Sequence, residues 1–512
     1  MTPPPCRHLA QRFLIVAGLL LGMMPASAAS VTPPAASARA GLGAQIDALI
    51  RQPRFATASW GIAVASLDSG RMLYAHRADK LLQPASTAKL FTAALSLAEL
   101  GPDYHMTTRL LSPGKIRNGR LDGPLVLYGT GDPTLGTAGN ADWATRLASQ
   151  LAARGIKHIH GDLIADDSYF TGPTFGTGWE AGDLQSWFAV PSSALSVDEN
   201  IVNVTVKPGA SAGMAASITL APVDGVSTLL GRIDTTLPRA PGDINLYRAP
   251  GSDTLYAFGS VPANSHEARF RLAMTDPAMQ AGRQLRQALL NIGIRLTGTV
   301  RVLHWPQDDG ALLAHADILA EVRSPPLLEV LQRGLKRSQN LYLQNLLLNA
   351  GAHEQATEAT RDSGFSDTES HAIHALRRLL TQLGIAPDAS WIAEGTGLSR
   401  RDLVTPDAIV HLLGYLDGQP YAAQLRAALP LAGVDGTLVH RMRNTAAAGN
   451  LQAKTGSMTY VHCLAGYVTS AGGERLAFAI MLNNYEAAAG APRASRDVDA
   501  IAILLANYRG EK

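Results

Sequence analysis

The chain has 512 residues, of which 46% are apolar and 17% charged, and its formal net charge is +2. That length calls for two to four domains with sizeable cores. The balanced charge, with no block of like sign, gives no nucleic-acid signal, so no nucleic-acid partner is expected.

The chain opens with "MTPPPCRHLAQRFLIVAGLLLGMMPASAAS". Arg7 and Arg12 precede a short apolar run from Phe13 to Met24, and Ala26-Ser27-Ala28 forms an A-x-A cleavage site. This pattern predicts a secretory signal peptide over 1–28, cut after Ala28. The apolar run is too short to span a membrane, and no later run reaches about 18 residues. The mature protein is therefore expected to be soluble and exported, with at most peripheral membrane contact. Cys6 leaves with the signal and Cys463 remains, so no internal disulfide forms. Cys463 reads as a small buried apolar residue. Residues 29–41 read as a Pro/Ala/Ser-rich disordered leader.

Next, "ATASWGIAVASLDSGRMLYAHRADK" predicts two strands around the turn Asp68-Ser69-Gly70. A helix follows from about Ser86, stopped by Gly101-Pro102. From about 103 to 310 the texture changes to short apolar runs separated by Gly, Pro and Asp turns, with a helix near 278–293. Helical periodicity returns at "PPLLEVLQRGLKRSQNLYLQNLLLNAG". "AKTGSMTYVHCLAGYVTSAGGERLAFAIMLNNYE" reads as three strands, the last two joined at Ala471-Gly472-Gly473, and "SRDVDAIAILLANYR" as a C-terminal helix. The two ends thus share a texture that the middle lacks. An α+β domain of helices and an antiparallel sheet, split by a large insertion, explains this.

Three short motifs lie on that frame. Ser86-Thr87-Ala88-Lys89 places a hydroxyl and an amine at i and i+3 of a helix start, on one face. Alone it is weak: Ser112-Pro113-Gly114-Lys115 matches it too and reads as a turn. Ser338-Gln339-Asn340 lies between two helical stretches, where a polar junction is the simpler reading. Lys454-Thr455-Gly456 lies at the start of a strand, where an edge lysine is the simpler reading. Together, in this order and on these elements, the three form the S-x-x-K, S-x-N and K-T-G set of a penicillin-recognising serine acyl-transferase.

With these motifs the chain resembles the D-alanyl-D-alanine carboxypeptidase/endopeptidases of the class C low-molecular-weight penicillin-binding proteins, the penicillin-binding protein 4 type. The resemblance covers about 40–510 and includes "YGTGDPTLG", "DDSYFTGPTFGTGWEAGD", "PSSALSVDENIVNVTVKPG", "EGTGLSRRDLVTP" and "LAGVDGTLVHRM". It departs at Gln339, where an acid is frequent, at Trp187-Phe188, where a tyrosine is more usual, and at "EGTGLSR", which replaces an Asp-Gly-Ser-Gly form.

The resemblance implies a transpeptidase-like catalytic domain over 42–102 and 310–512. It also implies inserted domain II over 103–190 and 275–309, and nested domain III over 191–274. Excising 103–308 is expected to leave a protein that a penicillin still acylates. The expected partners are peptidoglycan peptides ending in D-Ala-D-Ala and β-lactam antibiotics, and the expected home is the periplasm.

Chemistry assigns the roles. Ser86 is the nucleophile and Lys89, when neutral, its base. Burial and a neighbouring cation, expected to be Lys454, would lower the Lys89 pKa. Ser338 would relay a proton to the leaving amine, and Asn340 would hold the substrate backbone. Lys454, Thr455 and Gly456 form the strand motif, with Thr455 and Lys454 on the terminal carboxylate. The Ser86 N–H would form the oxyanion hole with a second N–H that the resemblance places at Ser457. No metal or organic cofactor is needed. Two alternatives stand beside this reading: a serine β-lactamase or esterase of the same fold, and an inactive peptidoglycan-binding relative. Gly129-Thr130-Gly131 lacks the third glycine of a nucleotide loop. His371 and His374 lack the partners of a metal site. His158 and His160 alternate on a strand with nothing beside them.

Overall fold

The computed structural model describes residues 41–307, 310–358 and 366–510. The expected signal peptide at 1–28 lies outside them, as does the leader apart from Gly41. No helix among the described residues is long and apolar enough to cross a membrane.

The two ends of the chain meet in one antiparallel sheet. Its strands run in the order Met72–His76, Ser59–Ser66, Arg475–Asn483, Val461–Thr469 and Gln452–Met458. The register sets Ala63 and Ala465 on either side of Ala479. Side chains alternate across a strand, so this sheet has two different apolar faces. Ile62, Val64, Leu464, Leu476, Phe478, Ile480 and Leu482 face a core shared with the terminal helices Leu42–Ile50 and Ser495–Asn507. Ala63, Ala465, Ala477 and Ala479 face the other way, into a core shared with the helices Lys89–Leu100, Asn340–Glu358 and Pro406–Asp417. Small side chains on this face let helices approach closely. Helix Lys89–Leu100 is buried along its length as far as Leu97, as a helix that is apolar all round must be.

Between Leu100 and Leu327 lies a second core with its own sheets. A five-stranded sheet runs Val300–Leu303, Leu163–Asp166, Leu125–Gly129, Thr107–Ser112, Asp317–Arg323. A four-stranded sheet and two three-stranded sheets accompany it. Helix Pro277–Ile292 lies where the sequence expects one, capped by the Asp276 carboxylate. Helix Trp143–Ala153 is an addition to the β-rich expectation. Its buried Trp143, Leu147 and Leu151 recur at helical spacing.

One border moves. Asp317–Arg323 falls in the part of the sequence expected to belong to the catalytic domain, yet it pairs antiparallel with Thr107–Ser112. Pairing beside Thr107–Ser112 satisfies the backbone N–H and C=O groups of this strand along one edge.

Candidate active site

The first motif begins in a tight turn. Ala85–Ala88 is a short 3₁₀ segment that runs into helix Lys89–Leu100. A 3₁₀ turn has three residues, so i and i+3 eclipse. This sets Lys89 Nζ 2.9 Å from Ser86 Oγ. Ala85 sits at φ +45°, in the left-handed region, a strained conformation that the surroundings must hold. Two glycines allow that. A Cβ on Gly456 would meet Pro84 O at 2.5 Å, and one on Gly397 (φ +77°) would meet Ala85 O at 1.9 Å. The K-T-G strand and the "EGTGLSR" loop therefore close on the Ser86 segment from two sides.

Lys89 is fully buried. Its Nζ lies 2.6 Å from Asn340 Oδ1 and 2.6 Å from the Thr396 carbonyl. Asn340 Nδ2 donates to the Phe188 carbonyl at 2.7 Å, which fixes the amide so that its oxygen faces the lysine. Both partners can only accept. A neutral amine spends its two N–H groups on them and directs its lone pair at the Ser86 hydroxyl. Burial pulls the Lys89 pKa down to about 7, with Glu394 and Asp402 pulling the other way.

Ser338 occupies the left-handed position (φ 55°) between helices Leu327–Arg337 and Asn340–Glu358. Lys454 Nζ donates to Ser338 Oγ at 2.8 Å and to the Thr455 carbonyl at 2.7 Å. Lys454 is buried behind the cavity wall. Burial first, and the charge of Lys89 second, hold its pKa well below the ordinary lysine value. The expectation that Lys454 is the cation that depresses Lys89 is corrected here. Burial lowers both lysines, and the causes acting on Lys89 are burial, opposed by the carboxylates of Glu394 and Asp402, and not the charge of Lys454. Burial depresses Lys89.

Ser86, Ser338, Asn340, Thr455 and Ser457 all line one cavity of about 530 Å³. Thr437 and Arg441 share its wall, and Thr437 Oγ1 lies 2.8 Å from Thr455 Oγ1. Arg441 is paired with Asp499 at 2.6 Å, and Arg400 with Glu180 at 3.0 Å.

The middle of the chain also reaches this wall. Glu180, Asp183, Trp187 and Phe188 line the cavity. Glu199 accepts from Arg337 at 2.7 Å, from Gln339 at 3.2 Å and from the Tyr342 hydroxyl at 3.3 Å, bracing the second motif. Gln339 suits this place, because its amide donates to a carboxylate already there. The inserted segment thus contributes to the cavity wall and to the bracing of the second motif.

Sequence reasoning missed the floor. Glu394 accepts the N–H groups of Thr396, Gly397 and Ser399 at 2.8, 2.7 and 3.2 Å, which shapes the loop whose carbonyl holds Lys89. Asp402 Oδ1 accepts Ala393 N–H at 2.7 Å, while its Oδ2 is buried with no donor among the described residues. Burial and Glu394 raise the Asp402 pKa well above the ordinary carboxylate range. When this pair takes up a proton, it belongs on Asp402, because both Glu394 oxygens already accept loop N–H groups. The signal was the quoted "EGTGLSRRD", whose acids bracket a Gly-rich loop.

The other sequence candidates lie away from the cavity. Ser112 Oγ donates to the Pro124 carbonyl at 2.7 Å, in the bend it was expected to form. His158 and His160 are exposed. Cys463 is buried, and burial raises its thiol pKa. Among the described residues no three His, Cys, Asp or Glu side chains gather as a metal site would require.

Residues 42–508 match the D-Ala-D-Ala carboxypeptidase 3 (S13) family. The chain belongs to that family. This S13 peptidase is 34% identical to a D-alanyl-D-alanine carboxypeptidase of Actinomadura sp. (strain R39) over 508 residues, 96% of this chain and 89% of the relative. It is 28% identical to the D-alanyl-D-alanine carboxypeptidase DacB of Haemophilus influenzae over 431 residues, 83% of this chain and 85% of the relative. The crystal structure of penicillin binding protein 4 (dacB) from H. influenzae superposes with a TM-score of 0.76 at 26% identity, covering 90% of this chain and 99% of that one. A complex of that H. influenzae protein with a β-lactam superposes with a TM-score of 0.70 at 25% identity, covering 90% and 97%. The S13 peptidase is accordingly a hydrolase with the penicillin-binding α+β fold.

Proposed function

We propose that the protein is an exported, periplasmic serine D-Ala-D-Ala carboxypeptidase that works through a Ser86 acyl-enzyme and is blocked covalently by penicillins. The observation that carries this reading is the convergence on one cavity of Ser86 on Lys89, Lys89 on Asn340, and Lys454 on Ser338, at 2.9, 2.6 and 2.8 Å.

Neutral Lys89 takes the Ser86 proton as Oγ attacks the carbonyl carbon of the penultimate D-alanine. The Ser86 and Ser457 N–H groups hold the oxyanion. One such donor contributes about 2.7–4 kcal/mol to the transition state. The hydroxyls of Thr455 and Ser457, with Thr437 and the charge of Arg441 beside them, receive the terminal carboxylate. As the C–N bond breaks, the proton held by Lys89 passes to the leaving amine through the Ser338 hydroxyl, which Lys454 orients. Water then attacks the ester carbon, its proton returns through Lys89 to Ser86 Oγ, and the shortened peptide leaves.

We also propose that the chain between the first two motifs forms two nested inserted domains. The outer one extends to Arg323; the segment's own apolar core supports its separation from the catalytic half, and its several distinct sheets support the nesting.

The test is Ser86→Ala. Labelling by a fluorescent penicillin and release of D-alanine should fall by at least about a thousandfold, with the circular dichroism unchanged. A folded variant that still labels would transfer the role to another serine.

A further inference from the structure

A second cavity, of about 200 Å³, lies on the other side of the segment that walls the catalytic one. Asp183, Trp187 and Phe188 line the catalytic cavity, while Leu184 and Gln185 line the second. Across it stands Arg248, at the end of strand Asp243–Tyr247.

Arg248 is only 6% exposed. Its main-chain N–H donates to Gln185 Oε1 at 3.0 Å, which fixes the residue in place. Its Nη1 is buried with no hydrogen-bond partner among the described residues. Leaving a buried charge unpaired is among the costliest arrangements a fold can keep. An anion or ordered water must answer it.

A carboxylate is present in the same cavity but does not pair with the guanidinium. Asp253 Oδ1 accepts from the Thr275 hydroxyl at 2.7 Å and Oδ2 from Ser227 N–H at 2.9 Å. Asp253 acts on Arg248 only through its field. Opposite charges therefore stand on the walls of one space with hydroxyls around them: Thr174, Ser252 and Thr275 also line it. A lone anion would be drawn to Arg248 and repelled by Asp253. A lone cation would meet the reverse. A molecule with both charges a short distance apart satisfies both walls. At roughly 30 Å³ per water in the liquid, the space holds a molecule the size of alanine.

We propose that this cavity is a second, non-catalytic site that binds a free small α-amino acid as its zwitterion, the carboxylate on Arg248 and the ammonium on Asp253. Free D-alanine fits this description. The proposed reaction bears only on where that ligand comes from, not on whether the site binds it.

Calorimetric titration of the full chain with D-alanine tests the site without any turnover, so its outcome is independent of whether Ser86 acylates. Saturable binding at millimolar concentration is expected. D-alaninamide, which lacks the carboxylate, and N-acetyl-D-alanine, which lacks the ammonium, should each bind at least about tenfold more weakly. Arg248→Gln and Asp253→Asn should each weaken D-alanine by about tenfold or more, one factor of ten being about 1.4 kcal/mol. Any D-alanine held by the catalytic cavity would persist in both variants. Should Arg248→Gln fail to fold, Asp253→Asn and the two blocked ligands decide. Absence of saturable binding at about 10 mM, equal affinity in a folded variant and the parent, or equal affinity for D-alanine and its N-acetyl form would overturn the proposal.

Discussion

At the residue scale, the site turns on one proton. Lys89 has two partners that can only accept and one that can donate, so in the proposed mechanism its neutral form is the one that would activate Ser86. Its pKa of about 7, down from 10.5, makes the sign definite. Below this value the amine is protonated and cannot take the Ser86 proton; above it the base is free. Acylation by a penicillin should therefore rise through about pH 7 and level off on the alkaline side, as a stopped-flow pH profile would show. Burial and not Lys454 depresses Lys89, so Lys454→Ala should leave the midpoint in place. The rate should still fall by about a hundredfold, the usual worth of a placed proton-transfer group, because Ser338 loses its partner. A midpoint displaced by a unit or more in this variant would restore Lys454 as the cation that sets Lys89.

At the element scale, the loop at 394–402 is the part that a list of catalytic groups omits. It has no helix or strand ladder to hold it, and Glu394 supplies the missing acceptors for three of its N–H groups. Glu394→Gln replaces one of those oxygens with a donor. The Thr396 carbonyl should then drift from Lys89, and acylation should slow by about 10- to 100-fold, since a displacement near 1 Å can cost that much. Asp402→Asn is the contrasting change. Asparagine imitates a protonated carboxyl, with one acceptor for Ala393 N–H and one donor toward Glu394. Activity should stay within about threefold, or about 0.7 kcal/mol. Rates and melting temperatures of the two variants, measured side by side, check the assignment; an Asp402→Asn protein as impaired as Glu394→Gln would remove the proton from Asp402.

At the scale of the whole molecule, the insertion and the catalytic half depend on each other. Loop-closure cost rises slowly with length, so a chain lacking 104–323 can still close. It would nevertheless lack the Phe188 carbonyl that fixes Asn340 and the Glu199 carboxylate that braces Arg337, Gln339 and Tyr342. Replacement of 104–323 by a short Gly/Ser linker should give a protein with helical circular dichroism that acylates more than about tenfold slower than the parent. Labelling at the parental rate would show that these contacts serve some purpose other than catalysis.

The sequence by itself determined the three motifs, the elements that carry them and the split of one domain by a long β-rich segment. These are local properties: a hydroxyl and an amine one turn apart, an alternating apolar strand, a glycine at a helix end. They are written within a dozen residues of one another, and the structure keeps Ser86, Ser338 and Lys454 on the elements expected of them. Only the tertiary structure decided which groups meet. That Lys454 serves Ser338, that Lys89 rests on a backbone carbonyl, and that Glu199 and Phe188 reach across from the insertion all depend on contacts between residues far apart in the chain. That both lysines are depressed follows from their burial, which no residue type encodes alone. The strand Asp317–Arg323, expected within the catalytic half, pairs with Thr107–Ser112 for the same reason, because a strand takes its place from the edge it pairs with.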